Sequence, residues 1–381
     1  MRKFILFILI STATIYANII TGAEDMGRYL PMLKGKNVAL VVNQSSLVGG
    51  EHLVDRLLSE RIHVKKIFAP EHGFRGDADA GEHLKNGRDK MTGIPIISLY
   101  GKHKKPSKKD LRGIDIIIFD IQDVGVRFYT YLSTLHYVME ASAEHKIPLI
   151  LLDRPNPNGA RVDGEVLNFK YKSFVGMHPV PILYGMTIGE YAMMINGEGW
   201  LKNRLVSDLR VIRLQNYRHD MPYSLPVKPS PNLPNELSIF LYPSLCLFEG
   251  TVFSVGRGTY KQFQIYGHPK YTKKKFSFIP RPNIGAKYPK HKGKLCYGVD
   301  LTNRHINLHN GINLSYLIDA YKHYPKKKRF FLKNKFFDKL AGSDRLRKQI
   351  KAGIGAKDIK RSWRKGLHNF KVIREKYLIY P

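Results

Sequence analysis

Cysteine is nearly absent: Cys246 and Cys296 are the only two in 381 residues. Two thiols so far apart give no basis for a zinc site. They leave one disulfide, if the compartment is oxidising, or two separate buried thiols. Long hydrophobic runs are absent after the opening "MRKFILFILISTATIYA". That segment has a basic start, an apolar run and a small residue at Ala17, so residues 1–17 are expected to be a secretory signal. Its apolar stretch is too short for a membrane span, and no cysteine stands near the cleavage point to take a lipid. The mature chain is therefore expected to be exported, periplasmic or secreted, with no transmembrane segment. Phosphate-cradling glycine motifs are missing as well. "VVNQSSLVGG", after the first apolar strand, holds neither G-x-G-x-x-G nor a P-loop, which disfavours a nicotinamide or ATP enzyme. No G-x-S-x-G elbow occurs, so a serine hydrolase lacks support.

Acid is the other scarcity. Asp and Glu number 31 against 63 Lys and Arg, a formal net charge of +32, with basic runs such as "KHKKPSKKD", "YTKKKF" and "YPKKKRFFLKNKFF". A basic, partly aromatic surface is the footprint of nucleic-acid binding, but an exported chain meets other polyanions. Wall glycans bearing carboxylates, teichoic polymers and lipid headgroups are attracted by the same long-range field. No nucleic-acid partner is expected.

What is present is a run of buried strands. "KNVALVV", "VKKIFA", "IPIISLY", "IDIIIFD" and "IPLILLD" alternate in part with helical stretches, "EHLVDRLLSERI" and "TYLSTLHYVMEASAEHK". The pattern predicts an α/β fold with a doubly wound, mainly parallel sheet covered on both faces. "MTIGEYAMMINGEGWL" predicts a further helix, capped by Thr187 with Glu190 reaching back. "MPYSLPVKPSPNLPN" reads as a crossing between two halves, and Trp363, Leu367 and Phe370 mark an apolar stripe near the C-terminus.

Ligands of such sheets bind beyond the carboxyl ends of the strands, and polar residues do follow each run. Asn43 comes after the first strand, Glu71 and His72 after the second, Asp123 and Arg127 after "IIIFD", and Asn156 and Asn158 after "ILLD". In the second half, "LYPSLCLFEGTVFSVGRGT" sets Glu249 and Arg257 among glycines that allow close backbone approach. Asp123 is expected to face the cleft; Asp120 has a structural alternative in bonding nearby backbone. Asp77, Asp79, His72 and His83 match no metal-ligand spacing, and "DADAGE" lacks the rest of a calcium loop, so no metal and no cofactor are expected. Carboxylates, arginines, tyrosines and asparagines at strand ends fit glycoside hydrolysis.

The segments "PEHGFRGDADAGE", "FDIQDVGVRFYTY", "LDRPNPNG", "GMTIGEYAMMINGEGWL", "PSPNLPN", "YPSLCLFEGT", "GRGT" and "FDKLAGS", in this order from about Lys36 to the C-terminus, resemble the bacterial exo-β-N-acetylmuramidases. The resemblance implies a Rossmann-like N-terminal domain (18–222) and a smaller C-terminal α/β domain (223–381), with the active site in the cleft between them. It implies release of N-acetylmuramic acid from the non-reducing ends of peptidoglycan fragments and muropeptides, with Glu71 of the PEHG motif as leading catalytic residue. Asp123 or Glu249 is then the second carboxylate and Tyr131 a supporting group. The sugar's lactyl carboxylate calls for an arginine, and Arg75, Arg127 and Arg257 are the candidates. The sequence departs from the family pattern at Tyr184, where histidine is frequent, and at Gln262, where proline is usual. The competing reading is a non-catalytic module that holds wall fragments in the same cleft.

Overall fold

The computed structural model describes residues 18–71, 73–74, 86–307 and 309–381. The expected signal at 1–17 lies outside the described residues, as do His72, Arg75, Asp77, Asp79 and His83. Seven strands form the central sheet: β1 (Asn37–Val42), β2 (His63–Ala69), β3 (Gly87–Arg88), β4 (Pro95–Ser98), β5 (Ile116–Asp120), β6 (Leu149–Leu152) and β7 (Leu209–Ile212). Their order is β7-β6-β5-β1-β2-β4-β3. All neighbours pair parallel except the short β3 against β4.

Side-chain alternation explains why these strands read as unbroken apolar runs. Ala39 and Val41 of β1 enter one hydrophobic core, and Val38, Leu40 and Val42 enter the other. A parallel sheet covered on both faces needs apolar residues at every position. Helix α1 (Leu53–Ser59) covers one face through Leu53, Val54 and Leu57. Helices α2 (Tyr131–His145) and α3 (Ile188–Gly197) cover the other. The α3 start has the expected capping box: Glu190 N–H donates to Thr187 Oγ1 at 3.2 Å, and Thr187 N–H donates to Glu190 Oε2 at 2.9 Å. Thr187 Oγ1 donates in turn to the buried Asp153 at 2.7 Å.

The smaller second part begins at α4 (Glu236–Leu245) and carries a three-stranded antiparallel sheet of Ile265–His268, Cys296–Asp300 and Phe276–Phe278. Its last helices are α5 (Ser315–Lys322), α6 (Phe336–Ala341), α7 (Arg345–Lys351) and α8 (Ala356–Glu375). Trp363 and Phe370 of α8 are buried and Leu367 is half-buried, as their spacing predicts. One apolar core runs through both parts, from Phe68 and Leu135 to Phe248, Phe337 and Trp363. Cys246 and Cys296 are both buried as free thiols, the second of the two arrangements open at sequence level. Among the described residues no helix is long and apolar enough to cross a membrane.

Candidate active site

The parallel strands deliver Glu71, just past β2, Phe128–Thr130, between β5 and α2, and Tyr131, the first residue of α2, to the wall of one cavity of about 470 Å³. The second part contributes Glu249 and Arg257 to the same wall, and the proline-rich crossing contributes Ser230 and Asn232. The crossing is held where it is by the hydroxyls of Tyr129 and Tyr131, which donate to Pro229 O at 2.7 and 3.2 Å. On its other side Asn232 Nδ2 donates to Gly285 O at 2.7 Å.

Two carboxylates, Glu71 and Glu249, stand in the described lining of the cavity. Thr130, the residue before α2, donates its hydroxyl proton to Glu71 Oε2 at 2.5 Å. Glu249 sits on the short 3₁₀ turn Cys246–Gly250 that follows α4. Pro243 inside α4 lacks an N–H to continue the helical ladder, and the backbone tightens into that turn shortly after it. Gly250 is required there, since a Cβ would stand 2.4 Å from Phe337 Cα of α6. Arg257 Nε donates to Glu249 Oε1 at 3.3 Å while its guanidinium lies 5.0 Å from the centre of the Phe263 ring. Lys290 Nζ donates to Glu249 O and Thr251 O, both at 2.9 Å. Burial pushes the Glu249 carboxyl up, but Arg257 and Lys290 outweigh it and hold the group below its ordinary range. A wall of edge-to-face rings, Tyr131–Tyr129–Tyr242–Phe263, joins the two carboxylate regions at centroid distances of 4.8, 6.0 and 4.9 Å. Such rings offer apolar faces to a sugar.

Of the residues expected from sequence, Glu71, Tyr131, Glu249 and Arg257 line this cavity. Asn43 stands behind it: its Nδ2 donates to Tyr131 OH at 2.9 Å, and its Oδ1 accepts from Ser45 N at 2.9 Å, so it positions the tyrosine. Asp123 does not face the cleft. It is buried behind the wall, accepts the Tyr184 hydroxyl and accepts Gly125 N–H at 2.7 Å. Burial drives its carboxyl up to about 7, only partly offset by those hydrogen bonds. Tyr184, one of the two departures from the family pattern, thus serves that buried acid.

Arg127 cannot serve a substrate either. Its guanidinium is buried and donates to Glu165 O and Val180 O at 2.7 Å and to Leu340 O at 2.9 Å, tying the two parts of the chain together. Asn156 and Asn158 are buried braces, donating to Met186 O at 2.8 Å and Val124 O at 2.7 Å, and do not present amides to hydroxyls. Asp120 is structural, as its alternative reading held, but its partner is Arg154, whose Nη2 donates to Oδ2 at 2.8 Å. Gly256 and Gly258 allow close approach to Lys261 O and Arg281 O, both 2.6 Å from a would-be Cβ, and not to a ligand. Sequence reasoning missed Thr130, Lys104, Phe174 and Asn232 as cavity residues. Only Thr130 carried a signal, as the residue opening the helical stretch after "VRFY".

Comparison with known proteins agrees with this architecture. The family model "Exo-beta-N-acetylmuramidase NamZ, N-terminal" matches residues 38–237, and its C-terminal counterpart matches 240–380. The peptidoglycan beta-N-acetylmuramidase NamZ of Bacillus subtilis (strain 168) is 40% identical over 372 residues, covering 92% of this chain and 89% of that protein. Two crystal structures of DUF1343 family proteins from Bacteroides fragilis NCTC 9343 superpose closely. One has a TM-score of 0.89 at 48% identity, covering 96% of this chain and 99% of the other; the second has 0.83 at 28%, covering 95% and 99%. With both halves matched and this identity along nearly the whole length, the chain belongs to the exo-beta-N-acetylmuramidase family.

Proposed function

We propose that Glu71 is the proton donor in the reaction this chain carries out, the exo-acting release of N-acetylmuramic acid from the non-reducing ends of peptidoglycan fragments. The observation that carries the assignment is that Glu71 and Glu249 line one cavity from the two parts of the chain. Thr130 donates its hydroxyl proton to Glu71, and Arg257 and Lys290 hold the Glu249 carboxyl below its ordinary range. Glycosidases need such a pair, one group to protonate the leaving oxygen and one anionic group to activate water or meet the developing positive charge at the sugar carbon. Glu249 takes the anionic role, and Tyr131, oriented by Asn43, supports the wall between the two carboxylates. The carboxyl separation, roughly 6.5–9.5 Å for an inverting pair and roughly 5–5.5 Å for a retaining one, sets the course, and NMR of the first anomer released reads it out.

The test is Glu71→Gln assayed on two β-muramides. With a sugar as leaving group, kcat should fall on the order of 10²–10⁴-fold, the usual yield of general acid catalysis. With nitrophenol, which leaves without a proton, the loss should be much smaller. Equal losses on both, or full activity on the substrate with a sugar leaving group, would sink the assignment.

The same reading puts the protein outside the cytoplasm, periplasmic or secreted, and divides it near residue 222 into a Rossmann-like domain and a smaller one. The first is supported by the basic-then-apolar opening of the sequence and by a wall substrate. The second is supported by the reversal of strand order at β1, where β2 and β4 lie to one side and β5, β6 and β7 to the other. N-terminal sequencing of the protein recovered from its native compartment should begin at Asn18. A start at Met1 would remove the export claim.

A further inference from the structure

The basic run "KHKKPSKKD" is divided by the fold between structure and cavity. Lys105 Nζ donates to Glu140 Oε1 and Glu144 Oε1 of α2, both at 2.8 Å, and is spent there. Its neighbour Lys104 lines the cavity with Glu71, its ammonium 4.7 Å from the centre of the Phe174 ring. Among the described residues no carboxylate stands within ion-pair distance of Lys104. Phe174 is itself fixed, with Tyr100 at its edge (6.0 Å), Tyr137 stacked on it (6.4 Å) and its carbonyl accepting from Ser133 Oγ at 2.6 Å. The ammonium therefore rests on a rigid aromatic platform.

Charge accounting gives Lys104 its role. Among the described residues, the ionisable acids and bases lining the cavity are Glu71, Glu249, Lys104 and Arg257. Arg257 is paired with Glu249, and Arg127, which chemistry would also nominate for an acidic ligand, is consumed by three carbonyls. When Glu71 holds the proton that it delivers to the leaving oxygen, the described lining retains one positive charge without a carboxylate partner, on Lys104. A neutral sugar leaves that charge uncompensated, whereas a sugar acid cancels it in a site from which the ligand displaces water. We propose that Lys104 recognises the carboxylate of the terminal sugar and so sets the preference for muramic acid over a neutral N-acetylhexosamine; this rests on the muramidase reading above.

The experiment compares an aryl β-N-acetylmuramide bearing the free lactyl acid with its lactyl methyl ester, two substrates identical at the bond that breaks. In Lys104→Gln the acid-to-ester ratio of kcat/KM should fall on the order of 10- to 100-fold, the worth of a charged hydrogen bond. Most of that change should lie in the KM for the acid, and Lys104→Arg should restore the ratio. A wild-type ratio in Lys104→Gln, or proportional losses on acid and ester, overturns the proposal. If Arg75→Gln erases the preference and Lys104→Gln does not, the acid sits at Arg75 and the proposal likewise fails. A wild-type enzyme silent on both substrates would overturn the muramidase reading instead.

Discussion

Each residue in the cavity is specialised by its neighbours more than by its type. An arginine and a lysine hold the Glu249 carboxyl below its ordinary range, and Thr130 donates its hydroxyl to Glu71. The setting of Glu249 is testable through pH. If Glu249 works as an anion, the acid limb of the pH–activity profile reports its protonation. Removing the cation that holds its carboxyl low must raise the pKa, so Arg257→Gln should move that limb toward neutral pH. An unmoved limb would show that Glu249 does not govern it. Asn43 and Thr130 belong at this scale too, as groups that aim a tyrosine and a glutamate.

At the scale of elements, the site depends on how a few segments end. Helix α2 begins immediately after Thr130, so its start and the Glu71 hydrogen bond are set together. Helix α4 hands over to the turn that carries Glu249, and that turn packs on α6 only because Gly250 has no side chain. Helix α8 shows the opposite design, an exposed basic face and a narrow buried stripe. Trp363 is 2% exposed and packs in the core shared with the central sheet. Trp363→Ala should cost about 3–5 kcal/mol of stability, as large-to-small core changes do, measured by urea unfolding. A loss below about 1 kcal/mol, the level of an ordinary surface change, would mean that α8 is not docked in solution as described.

For the whole molecule, the pH dependence of stability carries the signature of two buried acids. Asp123 and Asp153 are both driven by burial from an ordinary 3.8 up to about 7, with hydrogen bonds from Tyr184 and Gly125 to the first and from Thr187 and Tyr380 to the second offsetting part of the cost. A carboxyl whose folded pKa is raised contributes stability that is fully present below its unfolded pKa. That stability is lost as pH rises through the folded value, here between about 4 and 7. Asp123→Asn removes one such group. The stability of the variant relative to wild type should therefore improve as pH goes from 5 to 8, whatever the fixed cost of the substitution. A difference independent of pH between those two points would refute the raised pKa. The large positive charge of the chain cancels in this comparison, because both proteins carry it.

How much of this was legible in the sequence follows from what kind of information each feature needs. Buried parallel strands are visible as apolar runs because both faces of the sheet are covered, and helix starts are visible because a cap is a local arrangement, as Thr187 and Glu190 show. The position of Glu71 just past a strand end was readable for the same reason. What lies at a strand end does not, however, reveal where its side chain points. Asp123, Arg127, Asn156 and Asn158 all follow buried strands, and all are turned inward by partners distant in sequence: Tyr184, Leu340, Met186 and Val124. Lys104 and Lys105 are adjacent and chemically identical, yet one holds a helix and the other faces the cavity. The sequence by itself determined the parallel α/β plan, the capped start of α3 and the glutamate at the end of β2, because these rest on local periodicity and capping. Only the tertiary structure decided which charges remain for a substrate, because a cation is available only after every distant carbonyl and carboxylate has taken its share.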